Sequence, residues 1–186
     1  MIFLFMSKNK INVLFLDYDG VVNNIIWDDE GKRATYGWPR DNKVNDFQAV
    51  HWVAKLCSEY NFKIVVSSSW RRHNNYIECL YNGGLPKSIE VIGRTGTKLT
   101  RSHEIVDWLI TTDYDVQNFI ILDDDSFDFK RQSILRDHFY HVKGDGFYYT
   151  AYEECRKLCK QLGISPITDD IDVTVTINTE HDKEDN

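Results

Sequence analysis

Two aspartates two positions apart, Asp17 and Asp19, follow the apolar run Ile11 to Leu16 and precede Gly20. In extended backbone such side chains share a side, so both carboxylates can face one ligand at a strand end while Gly20 lets the chain turn. Carboxylates that close repel one another, and a divalent cation or a shared proton relieves the repulsion. A second apolar run, Phe62 to Val66, ends in Ser67-Ser68-Ser69, hydroxyls able to donate to a phosphoryl oxygen. A third, Phe119 to Leu122, ends in Asp123-Asp124-Asp125, with Asp128 close behind. Acids crowded after a buried strand suit a hard, oxygen-seeking cation such as Mg²⁺. Between the second and third runs, Arg94, Lys98 and Arg101 are cations that can shield a nucleophilic carboxylate from an anionic substrate.

These positions need a scaffold that brings strand ends together. The runs at Ile11–Leu16, Phe62–Val66 and Phe119–Leu122 read as buried strands, with shorter ones at Ile89–Ile92 and Phe139–Val142. Apolar residues at three- and four-residue steps predict a helix from Asn45, as N-cap, to Tyr60. Further helices are expected over His73–Tyr81 and Ser102–Ile110, and from a Thr150/Glu153 capping box to Gly163. Strands alternating with amphipathic helices indicate an α/β fold with a parallel sheet, whose ligand site lies beyond the carboxyl ends of the strands. Asp17, Ser67 and Asp123 all fall there.

The chain of 186 residues carries a net charge of −7, which argues against coating long nucleic acid through phosphate contacts. The charge is uneven: Asp169 to Asn186 holds seven acids and one lysine. We expect one catalytic domain over 1–168 and an acidic, partly disordered tail over 169–186, with Val173–Ile177 alternating like an edge strand. Four cysteines without a CxxC pair predict reduced thiols in a cytoplasmic protein, Cys155 and Cys159 packing on one helix face. The apolar stretch Ile2–Met6 is too short for a signal peptide or membrane span.

The order DxDGV, strand-end serine, lysine, strand-end aspartates resembles the four motifs of the haloacid dehalogenase (HAD) superfamily of phosphohydrolases, over roughly residues 11 to 163. Within it, Ser67-Ser68-Ser69-Trp70-Arg71, Ile92-Gly93-Arg94-Thr95, Arg101 to Leu109 and the aspartate triplet are similar to the HAD domains associated with RNA-repair proteins. The resemblance implies a Rossmann-like three-layer fold around a mostly parallel sheet. It further implies a Mg²⁺-dependent phosphomonoesterase in which Asp17 forms an aspartyl-phosphate and Asp19 is first general acid, then base. Mg²⁺ would be held by Asp17, the Asp19 backbone carbonyl and an acid of the fourth motif, Asp124 or Asp123. Ser67 or Ser68, and Lys98 or Arg101, would hold the phosphoryl oxygens.

Asp19 to Ser67 spans 48 residues and Ser67 to Lys98 spans 31, so neither gap holds the full cap domain such enzymes often carry. The insert Asn24–Lys43, with Trp27, Tyr36, Trp38 and Arg40, has room for a flap or hairpin only. An open site favours the end of a larger molecule. Arg71 to Arg101 carries a local charge of +4, and with Trp70, Arg71 and Arg94 as a substrate rim it suits a nucleic-acid terminus, rings stacking on bases and arginines gripping phosphates. No membrane or obligate protein partner is indicated. The competing readings are a phosphatase of a small metabolite or phosphoprotein, a silent phosphate-binding HAD-like domain, and a signalling receiver module. A receiver's phosphoacceptor aspartate would end a middle strand, where Ser67 stands instead.

Overall fold

The structure is a computed structural model that describes residues 9–23, 25–27, 33–35, 46–97, 99–129, 133–143 and 146–167. Lys98, Tyr36, Trp38, Arg40, Asn45, the stretch Ile2–Met6, the Val173–Ile177 segment and the acidic tail lie outside the described residues. Five strands, β1 (Lys10–Leu16), β4 (Phe62–Val66), β5 (Val91–Arg94), β6 (Asp115–Asp123) and β7 (Phe139–His141), form one sheet in the order β5-β4-β1-β6-β7. Every pairing in it is parallel. Within the insert, β2 (Ile25–Trp27) and β3 (Arg33–Thr35) pair antiparallel as a hairpin.

Strand β1 lies centrally, buried on both faces, which its near-continuous apolar sequence requires. Its side chains alternate. Leu14 and Leu16 pack into a core built with α1 (Phe47–Tyr60), α2 (Tyr76–Asn82) and α5 (Tyr149–Gln161). Val13 and Phe15 face the opposite core, with Ile105 of α3 (Arg101–Thr111) and Leu135 of α4 (Ser133–Arg136). The result is a three-layer Rossmann-like α/β fold. Cys155 and Cys159 lie in the first core, and all four cysteines are free. No helix among the described residues is long and apolar enough to cross a membrane.

Parallel ladders set the level of the strand ends. Leu16 is in register with Val66 on one side and Leu122 on the other. Beyond the strands the ladder continues: Ser67 N–H donates to Leu16 O at 2.9 Å, Asp17 N–H to Leu122 O at 3.0 Å and Thr95 N–H to Val66 O at 3.0 Å. A bulge at Ile11/Asn12 skips Gln117, and past it Asp123 stands level with Asp17. There Asn118 Nδ2 donates to Asn12 Oδ1 at 3.0 Å, and Asn12 Nδ2 to Tyr60 O at 2.9 Å.

Several local expectations are corrected. The first helix is capped by Asp46, whose Oδ1 accepts from the N–H groups of Gln48 and Ala49, and Asn45 is not its cap. The helix expected over His73–Tyr81 is present as α2 but begins three residues later, at Tyr76, after a 3₁₀ turn at Ser69–Arg72. Strand β5 begins two residues late because Ile89 N–H closes a turn onto Pro86 O. Strand β6 begins at Asp115, its first half hidden from hydrophobic patterning by Gln117 and Asn118. Helix α5 starts at Tyr149, so Thr150 lies inside its first turn and the capping box does not form. Helix α4 was not expected.

Asn12→Ala removes the partner of two polar groups beside the bulge and is expected to cost about 1–3 kcal/mol, measured by urea unfolding. A loss below a few tenths of a kcal/mol would show that the bulge does not depend on this pair.

Candidate active site

Asp17 is 3% exposed. Its Oδ2 lies 3.0 Å from Nη1 of Arg101, and the same nitrogen pairs with Oδ2 of fully buried Asp123. One guanidinium thus lies between two carboxylates from neighbouring strands. Burial opposes the Arg101 charge, but Asp17 and Asp123 outweigh it and hold the guanidinium ionised. Burial raises the pKa of Asp17, opposed chiefly by Arg101. Asp123 is pushed up to about 7 by burial and by the charge of Asp17. Arg101 opens α3, and its backbone N–H donates to Asp128 Oδ2 at 3.1 Å.

The aspartates of the fourth motif divide by task. Carboxylate oxygens of Asp17, Asp123 and Asp124 lie within 4.8 Å of one another, while Asp128 binds the first turn of α3 and Asp125 Oδ1 accepts from Phe127 N–H at 2.8 Å. Burial, then Asp17, raises the pKa of Asp124 as well. Gly20 sits at φ +75, and a Cβ there would come within 2.3 Å of Asp124 Oδ2, so only glycine lets the turn after Asp19 pass beneath this cluster.

Four buried polar atoms have no hydrogen-bond partner among the described residues: Asp17 Oδ1, Asn23 Oδ1, Ser67 Oγ and Thr95 Oγ1. Such atoms are rare in folded proteins, and here all follow the carboxyl ends of β1, β4 and β5. Three hard carboxylate donors beside an unpartnered buried oxygen fit a divalent cation of the Mg²⁺ kind. The two serines part company: Ser67 Oγ is unpartnered, whereas Ser68 caps the 3₁₀ turn, accepting from Trp70 N–H at 3.3 Å.

Two of the three expected rim residues face inward. Arg71, 5% exposed, donates to Gly96 O at 2.8 Å, Ser67 O at 2.7 Å and Ser68 O, and pairs with buried Glu104. Glu104 Oε1 accepts in turn from Leu99 N–H at 3.0 Å. Arg71 therefore ties the Ser67 loop to the segment before α3, with four of its five guanidinium hydrogens engaged. Trp70 is 6% exposed, and its indole N–H reaches Asp19, 3.0 Å from each carboxylate oxygen. Arg94 remains exposed, its guanidinium 5.1 Å over the Tyr76 ring and bonded to Arg71 O. A cavity of about 260 Å³, lined by Ser69, Arg71, Arg72, Thr100, Arg101 and Phe129 among others, opens beside Arg101.

Sequence reasoning missed Asn23, Thr95 and Glu104. Thr95 stands in the Ile92–Thr95 motif, and its place directly after an apolar strand was the available signal. Glu104 reads as an ordinary charge near a helix start, and only the fold brings it to Arg71.

Residues 13–147 match the family model of the HAD domain in Swiss Army Knife RNA repair proteins. Neither the curated proteins nor the solved structures yield a match to the chain.

Glu104→Ala leaves the Arg71 charge buried without its partner, at an expected cost of about 3–5 kcal/mol, read by chemical denaturation; a cost under about 1 kcal/mol would put the pair outside the fold's support. The raised pKa of Asp123 also sets a pH dependence. Its proton stabilises the metal-free folded state fully below the ordinary value of 3.8, and that stability is lost as pH rises through about 7. In chelator, the melting temperature of the wild type should therefore fall relative to that of Asp123→Asn between about pH 5 and 7. Parallel curves for the two proteins would contradict a protonated buried Asp123.

Proposed function

Because the chain belongs to the family of HAD domains in Swiss Army Knife RNA repair proteins, which points to phosphatase-type hydrolysis, we propose that it is a Mg²⁺-dependent phosphomonoesterase. Its substrate on this reading is the phosphorylated end of a nucleic-acid strand or a nucleotide, and its intermediate an aspartyl-phosphate on Asp17. The observation that carries the proposal is the convergence of Asp17, Ser67 and Asp123 at one level of the sheet, with Arg101 bridging the carboxylates and Asp17 Oδ1 and Ser67 Oγ unpartnered.

Asp17, Asp123, Asp124 and the backbone carbonyl of Asp19 would hold Mg²⁺, which when bound offsets the repulsion between a carboxylate nucleophile and a phosphate carrying nearly two charges. Ser67 donates to a phosphoryl oxygen, and Arg101 supplies positive charge beside it. A carboxylate oxygen of Asp17 attacks phosphorus in line, the bond to the leaving oxygen breaks, and Asp19 gives that oxygen its proton. Water then attacks the phosphorus, Asp19 takes the water's proton, and the bond to Asp17 breaks to release inorganic phosphate. The cavity beside Arg101 gives room for a leaving group, and exposed Arg94 and Arg72 suit a substrate with further phosphates. The family's link to RNA repair favours a strand terminus over a small metabolite.

Phosphate release from an aryl phosphate with Mg²⁺ and with chelator tests the chemistry. Asp17→Asn should lower metal-dependent turnover on the order of a thousandfold or more while the melting curve stays cooperative; equal activity in both proteins would discard Asp17 as nucleophile. Oligoribonucleotides with 3′- or 5′-phosphate, compared with mononucleotides, test the substrate. Turnover of mononucleotides alone would remove the strand-end reading.

A further inference from the structure

The loop after β4 carries a tryptophan whose only polar atom is aimed at a carboxylate of the first motif. Trp70 Nε1 lies 3.0 Å from Oδ1 and 3.0 Å from Oδ2 of Asp19. Asn23 Nδ2 reaches Asp19 Oδ1 from the other side, at 3.1 Å. These two donors come from different parts of the chain and grip one side chain.

Both donors are themselves held. Trp70 sits in the 3₁₀ turn capped by Ser68, followed by Arg71 with its several fixed bonds. Its ring lies 5.9 Å from that of buried Tyr18, whose hydroxyl donates to Tyr76 O at 2.6 Å. Asn23 is 1% exposed, and its backbone N–H donates to Tyr18 O at 2.8 Å. A carboxylate joined to its backbone by two rotatable bonds would otherwise sample several rotamers. A proton donor that must meet a leaving oxygen in the transition state gains from being held in one.

We propose that Trp70, with Asn23, is a positioning residue that holds the Asp19 carboxyl at the leaving-group side of the site, so that its contribution depends on how much protonation the leaving group needs. The proposal rests on the phosphatase reading above. An alkoxide such as a ribose oxygen departs poorly without a proton, whereas nitrophenolate departs without one. Removing the indole N–H should therefore hurt the first substrate and spare the second. A merely structural tryptophan would affect both alike.

The test compares Trp70→Phe with wild type on an alkyl phosphate and on p-nitrophenyl phosphate, reading kcat/KM because it reports steps up to formation of the phosphorylated enzyme. The expected result is a loss of about tenfold or more for the alkyl phosphate and of no more than about threefold for the aryl one. Equal losses, or none, overturn the proposal. Asn23→Leu, which removes the other donor, should show the same selectivity and serves if Trp70→Phe does not fold. An independent readout needs no turnover: the indole N–H proton resonance of Trp70 should move in Asp19→Asn, and an unmoved resonance overturns the contact. If wild type hydrolyses neither phosphate, the phosphatase reading fails and the proposal with it; if it hydrolyses both and Trp70→Phe shows no selectivity, only the proposal fails.

Discussion

Two carboxylates, Asp17 and Asp123, are withdrawn from water on adjacent strands of a parallel sheet, and a single guanidinium lies between them. Charges so buried are tolerated only when paired and hydrogen-bonded. Arg101 must therefore be placed well, and much of the surrounding structure serves that placement. Asp128 binds the first backbone N–H of α3, and Glu104, one turn further on, anchors the same helix to Arg71. Arg71 in turn holds the loop that bears Ser67. A line of ionic and hydrogen-bonded contacts thus runs from the first motif through α3 to the second, without leaving the carboxyl end of the sheet.

The sheet supplies the other constraint. In a parallel ladder the register of one strand pair fixes the level of both strand ends, and a slip by one residue would turn an end residue to the opposite face. Leu16 matched to Val66 and Leu122 brings Asp17, Ser67 and Asp123 together. The bulge beside Asn12 is part of that match. Its polar residues lie at the opposite end of the strands from the site, yet they help set which residue of β6 stands beside Asp17.

How much of this was legible in the sequence depends on which signal each part carries. Strands β1 and β4 are mainly apolar runs, each with a single polar residue inside, Asn12 and Lys63, and their ends are legible within a residue. Strand β6 was read only in its apolar half, because Gln117 and Asn118 break the pattern where the bulge lies. Asp17, Asp19, Ser67 and Asp123 can be singled out because each stands at or just beyond the end of an apolar run. The burial of Trp70 and Arg71 is not legible for the opposite reason: an arginine and an aromatic ring in a polar loop resemble surface groups, and their burial depends on Glu104 and Asp19, contacts set by tertiary structure. The division of labour among the aspartates is likewise a matter of geometry, since Asp128 differs from Asp124 only in what it touches.

The central claim is that the carboxylate of Asp17 becomes bonded to phosphorus, and chemical trapping tests it most directly. Borohydride reduces an acyl phosphate to the alcohol, so an aspartyl-phosphate becomes homoserine. Wild-type protein turning over a phosphate monoester with Mg²⁺, quenched with borohydride and mapped by peptide mass spectrometry, should carry homoserine at position 17. Turnover that leaves residue 17 unmodified under conditions that trap a control acyl phosphate, or that marks another residue, would contradict a covalent role for Asp17.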